Sequence, residues 1–164
     1  MSHLLDRIQQ DLKEAMRGQD RLRTSTLRLL LNDLKNAGLE KRARKGFTEE
    51  VDSPAEYLSS DEILQVLRSA VKRRRESAEQ YRAGGREELA AREEAEAALL
   101  EAYLPRAMDP AELETLVRET VQRLGAEGPR DLGRVMKEIL PRVGQAADGK
   151  TVSEMVRRIL GEGR

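Results

Sequence analysis

Apolar residues recur along most of this chain at steps of three and four, the spacing of one face of an α-helix. In the first two thirds the pattern predicts helices over about residues 2–17, 20–45, 59–83 and 86–104. Gly38 falls inside the second stripe and is expected to mark a bend. Residues 46–58 break the period and contain glycine and proline, so they are predicted to form a loop.

The last third is predicted to form three shorter helices, each with a start or stop signal. Asp109 and Pro110 open the first of them, because aspartate caps a helix and proline suits the first helical position. The second helix covers about residues 129–140 and is expected to end at Pro141. Thr151 is expected to cap the third, after a turn in which Gly149 adopts a positive φ.

The composition supports an all-α fold. Aromatic residues make up 2% of the chain, with one phenylalanine and no tryptophan, whereas a sheet would favour more aromatic and β-branched residues. We therefore predict an N-terminal helical domain of about four helices over residues 1–107 and a small three-helix domain over residues 108–164.

Several functional classes are disfavoured by composition. The formal net charge is zero, which does not imply non-specific attraction to nucleic acid. The chain has no cysteine, and its single histidine, His3, lies near the start. Neither a nucleophile with its base nor a metal site can be assembled from the pattern, so we predict no catalytic residue, no metal and no cofactor. No stretch reads as a signal peptide or membrane span, which favours a cytoplasmic protein with no membrane partner.

Residues 144–151, GQAADGKT, match the letters of a phosphate-binding P-loop. A P-loop requires a strand before the loop and a helix after it, so that backbone amides and a lysine surround the phosphates. The preceding residues are predicted to be helical, and no parallel sheet can form around the motif. The letters are therefore interpreted as a turn and a helix start, although helix geometry does not account for Lys150, whose charge the helix dipole disfavours.

The densest basic run is KRRR, with Lys72, Arg73 and Arg75 as candidates for phosphate contacts. Arg74 falls on the apolar side and is expected to pair with a carboxylate of the Glu-rich fourth helix. Two interpretations stay open: an internally paired, solvated face or an RNA-phosphate patch. A second basic cluster, EKRARK at residues 40–45, leads into the loop. The tyrosines are too scattered along the sequence to predict a base-stacking platform.

Two long motifs resemble the signatures of one protein family. RRESAEQYRAGGREELAAREEAEAALLEAYLP, at residues 74–105, is similar to the central signature of the GatB/YqeY family. LGRVMKEILPRVGQAADGKTVSEMVRRIL, at residues 132–160, resembles its C-terminal signature. DLKEAMRGQDRLRTSTLRLLLNDLKN, at residues 11–36, fits the stand-alone YqeY type, whereas the loop around residues 47–58 looks longer than is usual in that family.

The resemblance implies a helical protein related to the tail of the B subunit of tRNA-dependent amidotransferase, where a similar domain helps to hold the tRNA. The expected partners are tRNA or an enzyme of tRNA aminoacylation or amidation. The expected contact surface is the turn at 148–150, with free amides at the helix start and the basic residues near it: Lys137, Arg142, Lys150, Arg157 and Arg158. The alternatives are an accessory role in glutamine-dependent amide transfer, a carbon–nitrogen ligase activity, and a protein-interaction module that binds no RNA.

Overall fold

The computed structural model describes residues 3–162 and confirms the all-α prediction. Over this part of the chain there are seven α-helices, two short 3₁₀ turns and no strand. The helices are α1 (His3–Arg17), α2 (Arg21–Lys45), α3 (Ser60–Ala83), α4 (Glu87–Glu101), α5 (Pro110–Leu124), α6 (Leu132–Val143) and α7 (Gly149–Glu162). The 3₁₀ turns lie at Pro54–Tyr57 and Pro129–Asp131.

The chain divides into two compact units, Met1–Leu104 and Pro105–Arg164. The division falls three residues before the predicted end of the first domain. Whether each unit is a domain that folds by itself stays a prediction.

The N-terminal unit packs α1 to α4 around a core of aliphatic side chains, as the apolar stripes predicted. Its largest fully buried members are Leu5, Ile8, Leu27, Leu30, Leu34, Ile63, Leu67 and Leu100. Burying one such side chain contributes about 1.5–3 kcal/mol relative to leaving it in water. The core therefore joins all four helices mainly through aliphatic side chains, with Tyr103 as its one aromatic member among the described residues.

The segment predicted as a loop contains the first 3₁₀ turn, which lies against α2 at Gly38. A methyl group at Gly38 would lie 1.9 Å from the carbonyl oxygen of Pro54. Gly38 is buried and lies within a continuous helix that runs to Lys45. Gly38 therefore permits a close backbone contact between α2 and the 3₁₀ turn, whereas the bend expected at this residue stays a prediction.

Helices α3 and α4 are joined by a short glycine connection and are linked by ion pairs, one of which involves Arg74 as predicted. Arg74 of α3 lies 3.3 Å from Glu96 of α4, and both side chains are almost buried. Arg82 contacts Glu94 at 3.0 Å near the other end of the pair. Arg75 also pairs with Glu101.

The C-terminal unit is a bundle of α5, α6 and α7 around a separate core. Its buried side chains are Leu113, Val117, Val135, Ile139, Val143, Val152, Val156, Ile159 and Leu160. Asp109 caps α5 as predicted, since its side chain accepts a hydrogen bond from the Ala111 amide at 2.9 Å. Three amphipathic helices thus bury their apolar stripes against one shared core.

Local predictions around the last two helices need correction. Helix α6 continues past Pro141 to Val143, since a proline removes one backbone donor but does not prevent two further helical residues. Gly144, at φ +54°, takes the positive φ expected of Gly149. Helix α7 begins at Gly149, and Asp148 rather than Thr151 caps it, because the Asp148 carboxylate accepts from the Thr151 amide at 2.7 Å.

Candidate nucleic-acid interface

The letters of the P-loop motif form no nucleotide-binding loop here. The motif begins where α6 ends, crosses the connection between two helices and finishes in the first turn of α7. No strand precedes it in the part of the chain that the structure describes. Lys150 occupies the second position of a helix, where a P-loop lysine would follow a phosphate-enclosing loop.

The basic run of α3 is placed among carboxylates. Arg73 lies 2.9 Å from Asp33 of α2, and Arg75 pairs with Glu101 at the end of α4. Lys72 is highly exposed and lies 3.9 Å from Glu76 one turn along its own helix. Each of the three candidates therefore has a neighbouring anion that partly neutralises its charge.

The basic candidates of the C-terminal unit differ in their pairing. Arg158 lies 3.2 Å from Glu114 of α5, and Arg118 contacts the same glutamate at 2.8 Å. These two guanidinium groups lower the pKa of Glu114, with the Arg118 hydrogen bond as the largest cause. By contrast, the exposed side chains of Lys137, Arg142, Lys150 and Arg157 have no ion pair within 4 Å among residues 3–162.

Two of these unpaired cations share one face of α7. Lys150 and Arg157 are seven positions apart, about two helical turns or roughly 10 Å along the axis. The buried residues Val152 and Val156 lie on the other side of the helix. We call the surface formed by Lys150 and Arg157 the outer face of α7. Glu154 is exposed between them and reduces its net charge.

The cations of α6 do not extend this face as one strip. Lys137 and Arg142 are five positions apart, so they project about 140° from each other around the helix. Arg142 lies in the last turn of α6 and is therefore near the connection that leads to Lys150. Lys137 and Arg142 therefore project in different directions from α6. Lys150 and Arg157 share one face of α7.

The start of α7 is less open to an anion than the sequence predicted. The Asp148 carboxylate already accepts from the Thr151 amide and brings its own negative charge to the helix start. A phosphate at this position would compete with that carboxylate. The expectation of free amides at this turn is therefore wrong for Thr151, and the side chains of α7 are the better candidates.

The sequence analysis missed one group of side chains in the N-terminal unit. Phe47 and Tyr57 stack with their ring centroids 5.7 Å apart and an interplanar angle of 12°. Lys41 and Arg42 lie over these rings, at 5.9 Å from the Phe47 centroid and 5.8 Å from the Tyr57 centroid respectively. We call these four residues the aromatic cluster. The available signal was two aromatic residues that follow the basic run at residues 40–45 within twelve positions.

The partly buried polar group around Tyr103 has a structural role. The Tyr103 hydroxyl donates a hydrogen bond to Asp11 of α1, and Arg23 of α2 lies 3.6 Å from the same carboxylate. Burial, followed by the contact with Asp11, raises the pKa of Tyr103 to about 12. A phenol held in its neutral form joins helices and is poorly suited to act as a base at neutral pH.

The described residues show neither a metal-binding cluster nor a membrane-spanning helix. No group of three or more His, Cys, Asp or Glu residues capable of holding a metal ion occurs between residues 3 and 162. In the same range, no helix combines the length and the apolar character that crossing a bilayer requires.

Comparison with known proteins identifies the family. The family model for YqeY-like proteins matches residues 5–160. The chain belongs to the YqeY-like family. This match covers both units, so the family resemblance inferred from the two long motifs is confirmed.

Three curated relatives are named as mitochondrial proteins. "Altered inheritance of mitochondria protein 41, mitochondrial" of Pyrenophora tritici-repentis is 27% identical over 163 residues, covering 96% of this chain and 81% of the relative. The protein of the same name from Eremothecium gossypii is 32% identical over 100 residues, covering 61% of this chain and 48% of the relative. This chain therefore aligns with most of the first protein and about half of the second.

The prediction of a cytoplasmic protein is contradicted by these relatives, each of which is named as mitochondrial. The prediction relied on finding neither a signal peptide nor an apolar span in the sequence. Both features concern membranes and secretion, so they do not distinguish a cytoplasmic protein from one that works inside a mitochondrion.

Proposed function

We propose that this YqeY-like protein is a tRNA-binding module, or a module associated with a tRNA enzyme, without catalysis of its own. The observation that carries the proposal is the outer face of α7. Lys150 and Arg157 lie exposed on one side of a helix and have no carboxylate partner among the described residues. Their charges are therefore available to a polyanion.

The contrast between neighbouring arginines supports this choice of surface. Arg157 and Arg158 follow each other on α7, yet only Arg158 lies beside a carboxylate, Glu114. An internal salt bridge must be broken or shared before its cation can neutralise a phosphate. This exchange reduces the net free energy that the contact contributes to binding. Arg157 requires no such exchange. The same reasoning ranks the α3 run lower, because Arg73 and Arg75 are also paired.

The position of Lys150 is a further argument. A cation in the first turn of a helix is disfavoured by the helix dipole, typically by about 0.3–1 kcal/mol. The residue therefore contributes little to the stability of α7 itself, although Asp148 nearby offsets part of this cost. Because the Asp148 carboxylate occupies the helix start, the Lys150 side chain itself is the group expected to contact a phosphate.

The expected mode of recognition is contact with RNA phosphates and shape. The outer face of α7 offers point charges and no aromatic ring, so it has little means of reading bases. Binding through phosphates depends strongly on salt, because each contact releases counterions. An accessory role in glutamine-dependent amide transfer would use the same surface to hold the tRNA beside a separate catalytic protein.

The proposal is tested by salt titration of tRNA binding to the full chain. We expect saturable binding of bulk tRNA at low salt. Arg157→Gln should weaken it several-fold and should reduce the log–log salt slope by about one unit, as should Lys150→Gln. Arg158→Gln is the matched control, since it removes the same charge from the adjacent position but releases Glu114 at the same time.

The control should show a smaller loss than Arg157→Gln at every salt concentration. Equal losses for the two arginine variants would reject the outer face of α7 as the contact surface. If the wild type shows no saturable tRNA binding at low salt, the RNA proposal fails and a protein-interaction role becomes the better account.

A further inference from the structure

The aromatic cluster offers a second kind of contact in the other unit of the chain. We propose that Phe47 is a stacking site for an unpaired nucleobase of RNA, with Arg44 and Lys45 as neighbouring phosphate contacts. The site rests on the proposed function only for the identity of the RNA, which we take to be tRNA. Its chemistry is distinct, because it reads a base by stacking whereas the outer face of α7 contacts phosphates.

The first argument is the exposure of Phe47. Phe47 is the only phenylalanine of the chain. It is 40% exposed, although phenylalanine is usually buried. Tyr57 stacks against it, and the Tyr57 hydroxyl is fixed by a hydrogen bond to the Glu49 carbonyl oxygen. The ring is therefore held in a set orientation at the surface, so that less ordering is needed when a base stacks on it.

The second argument is the arrangement of charge around the ring. Lys41 and Arg42 lie over the rings of the cluster, and Arg42 also donates a hydrogen bond to the Phe47 carbonyl oxygen at 3.3 Å. Arg44 and Lys45 occupy the last turn of α2, next to Gly46 and Phe47. Both are exposed and have no ion pair within 4 Å among residues 3–162. Single-stranded RNA is bound by this combination of aromatic faces and nearby cations.

The helix end explains part of this charge without a ligand. Cations in the last turn of α2 are stabilised by the helix dipole, and Lys41 is committed to Glu62 at 2.6 Å. The following loop also carries Glu49, Glu50 and Asp52. Charge alone therefore does not select this surface for RNA. The exposed ring of Phe47 does, so stacking is expected to supply most of the affinity, and the two phosphate contacts of Arg44 and Lys45 add a moderate salt dependence.

The absence of tryptophan from the chain allows a direct test. In the full-length Phe47→Trp variant the indole would be the sole tryptophan and would report stacking by fluorescence quenching. The probes are a single-stranded ribo-oligonucleotide of about ten nucleotides and bulk tRNA. We expect both to quench the indole. Phe47→Leu, which keeps an apolar side chain but removes the aromatic face, should bind the oligonucleotide about five-fold or more weakly.

Tyr81→Leu is the matched control, because Tyr81 is similarly exposed, at 37%, and lies on α3 away from the aromatic cluster. It should leave oligonucleotide affinity unchanged. Phe47→Trp should retain wild-type affinity, which separates the aromatic face from a general effect of altering the loop. The salt slope of tRNA binding should be the same in Phe47→Leu and wild type, in contrast to Arg157→Gln.

The outcomes separate this inference from the proposed function. If Phe47→Leu binds the oligonucleotide as tightly as wild type, or if saturating RNA leaves the indole unquenched, the stacking site is refuted while tRNA binding through α7 stands. If the oligonucleotide quenches the indole but tRNA does not bind, the stacking site stands and the proposed function fails. Equal loss in Phe47→Trp and Phe47→Leu would also refute stacking.

Discussion

At the residue scale, Gly38 has the least room for a β-carbon among the glycines of the N-terminal unit. The backbone of Pro54 approaches so closely that a β-carbon would lie 1.9 Å from its carbonyl oxygen and 2.5 Å from its carbonyl carbon. These are backbone atoms of a 3₁₀ turn, so they cannot move aside by changing a rotamer. The contact also holds the segment that carries Tyr57 against α2.

We expect Gly38→Ala to reduce the free energy of unfolding by about 2 kcal/mol or more, as overpacking of a filled core does. Chemical denaturation followed by circular dichroism measures it. Gly133→Ala on α6 is the control, because nothing lies within 4 Å of its β-position. That variant should be neutral or stabilising by up to about 1 kcal/mol through helix propensity. Equal effects at the two glycines would contradict the steric explanation.

At the element scale, the interface between α3 and α4 contains one nearly buried ion pair. The Arg74 and Glu96 side chains are 12% and 11% exposed, so neither charge is fully hydrated. The Arg74 Nε atom is buried and has no well-directed hydrogen bond, although it lies 3.3 Å from the Glu96 carboxylate. Such a pair contributes less net stability than its distance suggests, but losing one partner leaves a charge exposed to an apolar environment.

A double-mutant cycle should display this asymmetry. We expect Glu96→Leu to destabilise the chain by about 3 kcal/mol, because Arg74 is left buried without its carboxylate. Adding Arg74→Met should restore much of that loss, since an apolar pair of similar volume replaces the charges. Urea denaturation at neutral pH gives the four stabilities. Strict additivity of the two substitutions would mean that the ion pair has no energetic coupling.

At the scale of the whole molecule, each of the two units has its own core. The buried residues of the C-terminal unit come only from α5, α6 and α7, and none comes from the first 104 residues. Caps at Asp109 and Asp148 are also supplied from within the unit. The unit therefore contains the apolar surface and the helix starts that an independent fold requires.

We expect residues 105–164 to fold alone into a helical bundle with a stability of a few kcal/mol at most, as is usual for so short a chain. Far-ultraviolet circular dichroism and a cooperative thermal transition of the fragment would measure this. Val156→Ala should abolish the transition, because Val156 is fully buried and the fragment has little stability to lose. A fragment with coil-like dichroism would show that the unit depends on the first 104 residues.

The amino-acid sequence was sufficient for the helices, their apolar faces and the all-α class. Periodicity indicates which face of a helix is buried without reference to its neighbours, as for Val152 and Val156. The pairing of Arg74 with a carboxylate of α4 was also predictable, because a cation on an apolar stripe needs a buried anion. The family was evident from two long motifs that lie in different units.

Contacts between distant segments were decided only by the tertiary structure. The pairing of Arg73 and Arg158, but not Arg157, depends on which helix packs beside each residue, and helical spacing alone does not specify this. Gly38 meets Pro54, and Phe47 meets Tyr57, because the 46–58 segment folds back on α2. Periodic patterns describe one element at a time, whereas these contacts arise from the path of the chain between elements.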